Sequence, residues 1–107
     1  MGGVLHIGPD FSSTTKSSNY TLTASDIGTL VQTNATVTVD QNIFTAGDAI
    51  TIHNNSGSNI TITQGTNVTF YLAGTSTTGS RTLAQRGVAT VLCVASNAFV
   101  VSGGGLT

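Results

Sequence analysis

The sequence predicts an all-β subunit, jelly-roll-like or a β-sandwich, of about eight short strands, and three observations carry that prediction. First, apolar and small polar residues alternate with a period of two in several short runs, which puts one set of side chains on one face of each strand. Second, only 7% of the 107 residues are charged, against roughly a quarter in ordinary globular domains. Thr, Ser, Asn and Gly supply the polarity instead, and these are residues of strand faces and turns. Third, the runs are separated by short Gly- and Asn-containing links, which favours a sandwich or jelly roll over a solenoid or a single flat sheet.

Residues 1–18 read as an extended arm and linker. A short apolar group, Val4-Leu5-His6-Ile7, sits between Gly2-Gly3 and Gly8-Pro9-Asp10, and an aperiodic Ser/Thr run follows. The domain proper spans 19–103. Asn19–Thr23 alternates as a strand. Thr23-Ala24-Ser25-Asp26-Ile27-Gly28 predicts a single helical turn, capped by Thr23 and ended by Gly28 in left-handed conformation. Thr29–Gln32 resumes extended chain, and Ala35–Asp40 is an alternating strand with Val37 and Val39 inward. In the loop Gln41–Asp48, Ile43 and Phe44 should tuck under the sheet.

The central stretch Ala49–Leu72 predicts a three-strand meander with Ile50, Ile52, Ile60, Ile62, Val68, Phe70 and Leu72 on its inner face. Its two hairpin loops are Asn54–Asn59 and Gln64–Asn67. Ala73–Ser80 is a surface loop by composition. Arg81–Gly87 has no readable pattern, although Leu83 should pack inward. Gly87–Ala95 is apolar on both faces, so both must be covered. Ser96-Asn97 makes a tight turn into a last strand at Ala98–Val101, and 104–107 form a loose tail.

The candidate chemistry is sparse. His6 and His53 lack companion ligands in the sequence, and Asp10, Asp26, Asp40 and Asp48 stand in turns or at strand ends, where Asp serves local hydrogen bonding. No nucleophile elbow or phosphate loop is present. The chain therefore does not read as an enzyme and implies no cofactor and no metal. A net charge of −1, with Lys16, Arg81 and Arg86 scattered, gives no footprint for nucleic acid, and no apolar run approaches the roughly 18 residues of a membrane span. Cys93, the one cysteine, lies in an apolar run and reads as a buried, inert thiol. The five N-x-S/T sequons follow from the Asn/Thr-rich composition, and without a secretion signal the chain reads as made in a cytoplasm. The Thr-x-Thr pairs Thr21/Thr23, Thr36/Thr38 and Thr61/Thr63 suggest a flat hydroxyl array of the kind that binds ice, but they lack a fixed repeat period in the sequence.

Three stretches carry a resemblance to a known module. They are Tyr20-Thr21-Leu22-Thr23-Ala24-Ser25-Asp26-Ile27-Gly28-Thr29-Leu30-Val31, then Phe44-Thr45-Ala46-Gly47-Asp48-Ala49-Ile50-Thr51-Ile52, and finally Gly87–Val94 with Phe99-Val100-Val101-Ser102-Gly103. This order resembles a module of tailed-bacteriophage virion proteins found in head and tail fibres and in capsid decoration proteins. Its pattern runs T-L-T-x-x-D-x-G-x-L-V, then G-x-x-I-x-I, then G-x-x-x-x-L and a last strand with an aromatic residue. Phe99 stands where the pattern often has Trp, and 1–18 lie outside the match.

The resemblance implies a virion structural protein, commonly homotrimeric, and the small size of the chain suits a decoration or cement protein on the outer capsid surface. Its partners would be further copies of itself and the major capsid protein. The expected subunit interface is one face of the two-faced strand, Ala89, Val91, Cys93 and Ala95, with Val100 beside it. The expected capsid-docking residues are Val4, Leu5 and Ile7 of the arm. The rivals are a head- or tail-fibre module that binds a host glycan, which would want more exposed aromatic residues than Tyr20 and Tyr71 provide, and an ice-binding protein.

Overall fold

The alternating strands from Ser13 to Gln64 wind into coils, and only the last two, Arg81–Ala95 and Ala98–Leu106, fold back as a hairpin among the described strands. The structure, a computed structural model, describes residues 12–107. It is all-β, with one sheet that curls into a nearly closed barrel. In chain order the described strands are β1 (Ser13–Lys16), β2 (Tyr20–Thr21), β3 (Leu30–Thr33), β4 (Val37–Val39), β5 (Ala49–Asn54), β6 (Ile60–Gln64), β7 (Thr69–Leu72), β8 (Arg81–Ala95) and β9 (Ala98–Leu106). A 3-10 turn at Ala24–Asp26 joins β2 to β3, and Gly28 behind it has φ 75°, as the capping pattern predicts.

Successive strands go to alternate stacks. β1, β3 and β5 lie side by side in parallel, with Ser13 beside Leu30 and Leu30 beside Thr51. β2, β4 and β6 form a second parallel stack, with Tyr20 beside Val37 and Val37 beside Ile62. Both stacks end on the 15-residue β8. β5 pairs antiparallel with its later part, from Ala49–Leu92 to His53–Val88, and β6 with its beginning, Ile60–Leu83 to Ile62–Arg81. β9 folds back along the other edge of β8, and β7 lies parallel to β9.

This pairing bears out the all-β class and corrects the three-strand meander. β5, β6 and β7 do not pair with one another; β5 lies between β3 and β8, β6 between β4 and β8, and β7 beside β9. The alternation is the same for parallel and antiparallel ladders, so it reports the inward face without reporting the partner. The link after β5 is a corner held by the buried Asn54 side chain. Its Nδ2 donates to the carbonyls of Ser58 (2.7 Å), Leu83 (3.0 Å) and Ala84 (3.1 Å), and its Oδ1 accepts from Ser56 N at 3.0 Å and Ser56 Oγ at 2.8 Å.

Three boundaries also change. Ser13–Lys16, placed in the linker by sequence, is strand β1. Arg81–Gly87, which shows no pattern, is the first half of β8. Gly104, Gly105 and Leu106, expected in the tail, belong to β9, where Val88 pairs with Gly104 and Leu83 with Leu106. Gly103 is there for close approach: a Cβ on it would lie 2.6 Å from Ala89 Cα. The arm residues Val4, Leu5 and Ile7 lie outside the described residues.

The core fills the barrel with Leu22, Val31, Val37, Val39, Ile50, Ile52, Ile60, Ile62, Val68, Phe70, Leu83, Ala89, Val91 and Val101 among others. Phe99 joins its ends, meeting Phe44 and Phe70 edge to face, each with ring centroids 5.9 Å apart. Phe44 and Leu83 are inward as their sequence context predicts.

Candidate functional site

The candidate residues among those described sit on two outer faces of the barrel; no cavity and no group of metal-ligating side chains occurs among the described residues. The first face is the outside of β5, β8, β9 and β7. On β8, Ala89, Val91 and Cys93 are buried in the subunit's own core, while Val88 is 46% exposed, Leu92 37% and Val94 44%. This reverses the expected interface. Of its five residues, Ala89, Val91 and Cys93 are core, whereas Ala95 is exposed and Val100 lies on the outer face, half-buried.

The cause of the reversal is a β-bulge. The tight turn at Ser96-Asn97 pairs Ala95 with Ala98, and continuing that register would set Val94 against Phe99 and Cys93 against Val100. Instead the ladder skips Val94, and Cys93 pairs with Phe99. One extra residue exchanges the two faces of everything N-terminal to it. Because both faces of Gly87–Ala95 are apolar, nothing in that segment alone reveals the exchange. The one available signal is size, since the set that lies inward, with Ala89 and Cys93, is smaller than Val88, Leu92 and Val94.

The corrected face has a continuous centre. Ala49 on β5 pairs with Leu92, Leu92 with Val100 on β9, and Val100 with Tyr71 on β7, which is 39% exposed. This apolar row crosses four strands. Beside it runs the hydroxyl row Thr51, Thr90, Ser102, and beyond that His53 and Val88, with His53 Nδ1 3.1 Å from Gln32 Oε1. None of the three Lys or Arg side chains stands in these rows. The outer edge of β7 is closed by its own loop, as Leu72 N donates to Thr77 O and Gly79 N to Phe70 O, so a partner meets the face and not that edge.

The second face is the outside of β2, β4 and β6. Thr21 pairs with Thr38 and Thr38 with Thr63, and Thr61 on β6 pairs with Thr82 on β8. Thr36 stands two residues before Thr38 on the same face, its backbone N–H donating to Asn19 Oδ1 at 3.3 Å. Thr21, Thr38 and Thr63 therefore lie in one row although their sequence spacing is irregular, whereas Thr23 stands outside β2 in the turn cap, with Ser25 and Asp26.

The remaining polar groups are structural. Asp26, buried, accepts from Tyr20 Oη at 2.7 Å and from Thr23 N at 2.8 Å, which closes the turn. Lys16 Nζ lies 4.3 Å from the Tyr20 ring centroid. Cys93 Sγ lies 3.2 Å from the Ala95 carbonyl, and burial pushes the thiol pKa up, the direction of an unreactive thiol. No helix among the described residues is long and apolar enough to cross a membrane.

The chain matches no family model, no curated protein and no solved structure.

Proposed function

We propose that this chain is a bacteriophage virion structural protein, a decoration or cement protein that sits on the outer capsid surface as homotrimers and braces the shell. The observation that supports this is the row Ala49–Leu92–Val100–Tyr71, flanked by Val88 and Val94, on a barrel with no cleft among its described residues. Contiguous apolar surface rimmed by polar residues is the form of a protein contact. A specific interface needs about 800 Å² per partner, for which this row is the centre and Thr51, Thr90 and Ser102 the rim. The phage-module resemblance of residues 20–103 supplies the setting. In it the outer row packs between subunits, and Val4, Leu5 and Ile7 hold the major capsid protein. Electron cryomicroscopy of virions carrying a labelled copy tests this: density in threefold clusters over the shell is expected, and label confined to the tail, or absent, overturns it.

The in-register threonines favour a second reading, an ice-binding face. Hydroxyls of the row Thr21–Thr38–Thr63 at about 4.8 Å across strands have a spacing that ordered water can match. Thermal hysteresis that disappears on Thr38→Lys would establish this reading, and none at millimolar protein would remove it.

A further inference from the structure

We propose that Arg86 of one subunit holds the Asp40 carboxylate of a second copy, so that the outer face of β5, β8, β9 and β7 packs against the threonine face of the next subunit around a closed ring. This inference rests on the reading above, in which the chain associates with itself, and it names the two surfaces that meet.

The observation that carries it is a backbone conformation. Among the described residues four that are not glycine have positive φ, and three of them are Asn42, Asn67 and Asn97. Asparagine enters the left-handed region at little cost, because its short side chain bonds locally. The fourth is Arg86, at φ 59°, whose long side chain gives no such help. Gly or Asn would suit the position better if the bend alone mattered. A chain with only three Lys and Arg residues therefore places one of them where it strains the backbone, as happens where a side chain is kept for what it contacts.

The surroundings fix Arg86 in place. On β8 the residues Ala84–Gly87 bulge out opposite the single residue Gly105 of β9, since Leu83 pairs with Leu106 and Val88 with Gly104. Asn54 Nδ2 holds the Leu83 and Ala84 carbonyls at the base of the bulge, at 3.0 and 3.1 Å. On the other side Gly87 is packed so closely that a Cβ there would lie 2.6 Å from Leu83 Cδ1 and 2.8 Å from the Ala84 carbonyl oxygen. Arg86 is thus exposed two residues before the exposed Val88, at the border of the apolar face. Among the described residues it donates once, from Nη1 to the Asn55 carbonyl at 3.3 Å, which leaves the rest of the guanidinium fork for a planar acceptor such as a carboxylate.

The chain's own acids single out the acceptor. Of those described, Asp26 is buried and accepts from Tyr20 Oη and Thr23 N, and Asp48 accepts from Thr45 N at 2.9 Å. Asp40 is exposed, and its carboxylate accepts no hydrogen bond among the described residues. It follows Thr38 by two positions, so it ends the Thr36–Thr38 column of the second face, with its Oδ1 beside Gly65. Within one subunit the two charges stand apart. Asn55, beside Arg86, precedes β6 and Gly65 follows it, so about 16 Å of strand lies between them.

A cation at the border of one face and a carboxylate at the end of the other are therefore left for contact between copies. Joining two different faces is what a closed ring needs, since every subunit must offer both halves of one contact. Threonine suits the facing role, because its methyl groups cover Leu92, Val100 and Tyr71 while its hydroxyls serve the polar rim.

Sedimentation velocity on the full chain at micromolar concentration tests the pair. The unaltered chain should sediment as an oligomer. Arg86→Asp and Asp40→Arg should each weaken association by about tenfold or more, and the two together should restore it, because the pair is then reversed. Arg86→Asn separates the contact from folding: it relieves the backbone, so the urea midpoint of the dilute, dissociated chain should be unchanged or higher while association is lost. A lower midpoint in Arg86→Asn, or no recovery in the double variant, overturns the inference. Weaker association in Arg86→Asp with no effect of Asp40→Arg overturns it as well, making some other carboxylate the partner. An oligomer indifferent to both substitutions removes the ion pair and leaves self-association standing, whereas an unaltered chain that is monomeric removes both.

Discussion

Leu92 and Val100 stand directly opposite each other on the outside of β8 and β9, while one residue away Val91 and Val101 face each other inside the barrel. Adjacent positions on one strand therefore have opposite roles, and substitution separates them. Val91→Ala removes buried methyl groups and leaves a small cavity, and it should cost about 2 kcal/mol, read as a lower urea midpoint at unchanged slope. Leu92→Ser should shift stability by no more than about 0.5 kcal/mol, as surface changes do. The same substitution should abolish decoration of shells in a co-sedimentation assay. Equal stability losses for the two would mean that both faces are buried.

The inward set was legible wherever one face was polar. Val37/Val39, Ile50/Ile52 and Ile60/Ile62 all point into the core, as their Thr and His neighbours on the alternate face imply. The turn Thr23–Gly28 was legible too, because Asp26 and Gly28 each have a local reason to be there. Two things were not. Partner choice was hidden because Thr21, Thr38 and Thr63 reach the same row over loops of unequal length, which no local pattern records. The candidate interface was hidden because the skip at Val94 changes parity in a segment whose two faces are equally apolar. In both cases the deciding contact is far away in sequence, and alternation carries only local information.

Asn54 fixes the corner between the two stacks. Its amide satisfies carbonyls from the corner itself and from β8, and it does so at zero exposure. Asn54→Ala would leave those buried carbonyls without donors and should lower stability by about 2 kcal/mol. Asn54→Asp should cost more, because an oxygen replaces the amide nitrogen and faces the Leu83 and Ala84 carbonyls. Ser56→Ala removes one bond to Asn54 Oδ1 and two exposed bonds within the loop, to the Ser58 carbonyl and from Ser58 N, while the buried Leu83 and Ala84 carbonyls keep their donor, and it should cost less than either. Equilibrium urea unfolding of the three variants checks the order.

Gly103 and Gly104 are neighbours on β9 with opposite demands. A Cβ at Gly103 would collide with the Val88 carbonyl and lie 2.6 Å from Ala89 Cα, both backbone, so the β8–β9 ladder would have to part. Gly103→Ala should therefore cost at least about 2 kcal/mol. Gly104 has nothing within 4 Å of its Cβ position and no left-handed φ. Gly104→Ala should be neutral or stabilise by about 0.5 kcal/mol through the unfolded chain's lost freedom. Thermal melts of the two variants distinguish a close-approach glycine from a merely flexible one.

Two groups make stability depend on alkaline pH. Burial raises the pKa of Tyr20, and its hydrogen bond to Asp26 adds to the rise. Burial also raises Cys93, with the charge of Asp48 adding to it. In each case the folded chain keeps its proton at a pH where the unfolded chain has lost it. Their contribution is therefore whole below the unfolded values, about 8.5 for Cys and about 10 for Tyr, and falls as pH rises from there through the folded values. The urea midpoint should stay level for these groups up to pH 8 and then decline, more steeply beyond pH 10. Tyr20→Phe should lose about 1 kcal/mol at pH 7 with the Asp26 bond and show a shallower decline above pH 10. Cys93→Ser should flatten the earlier part of the curve, between pH 8.5 and 10. A decline of unchanged steepness in both variants would assign the alkaline loss to other groups.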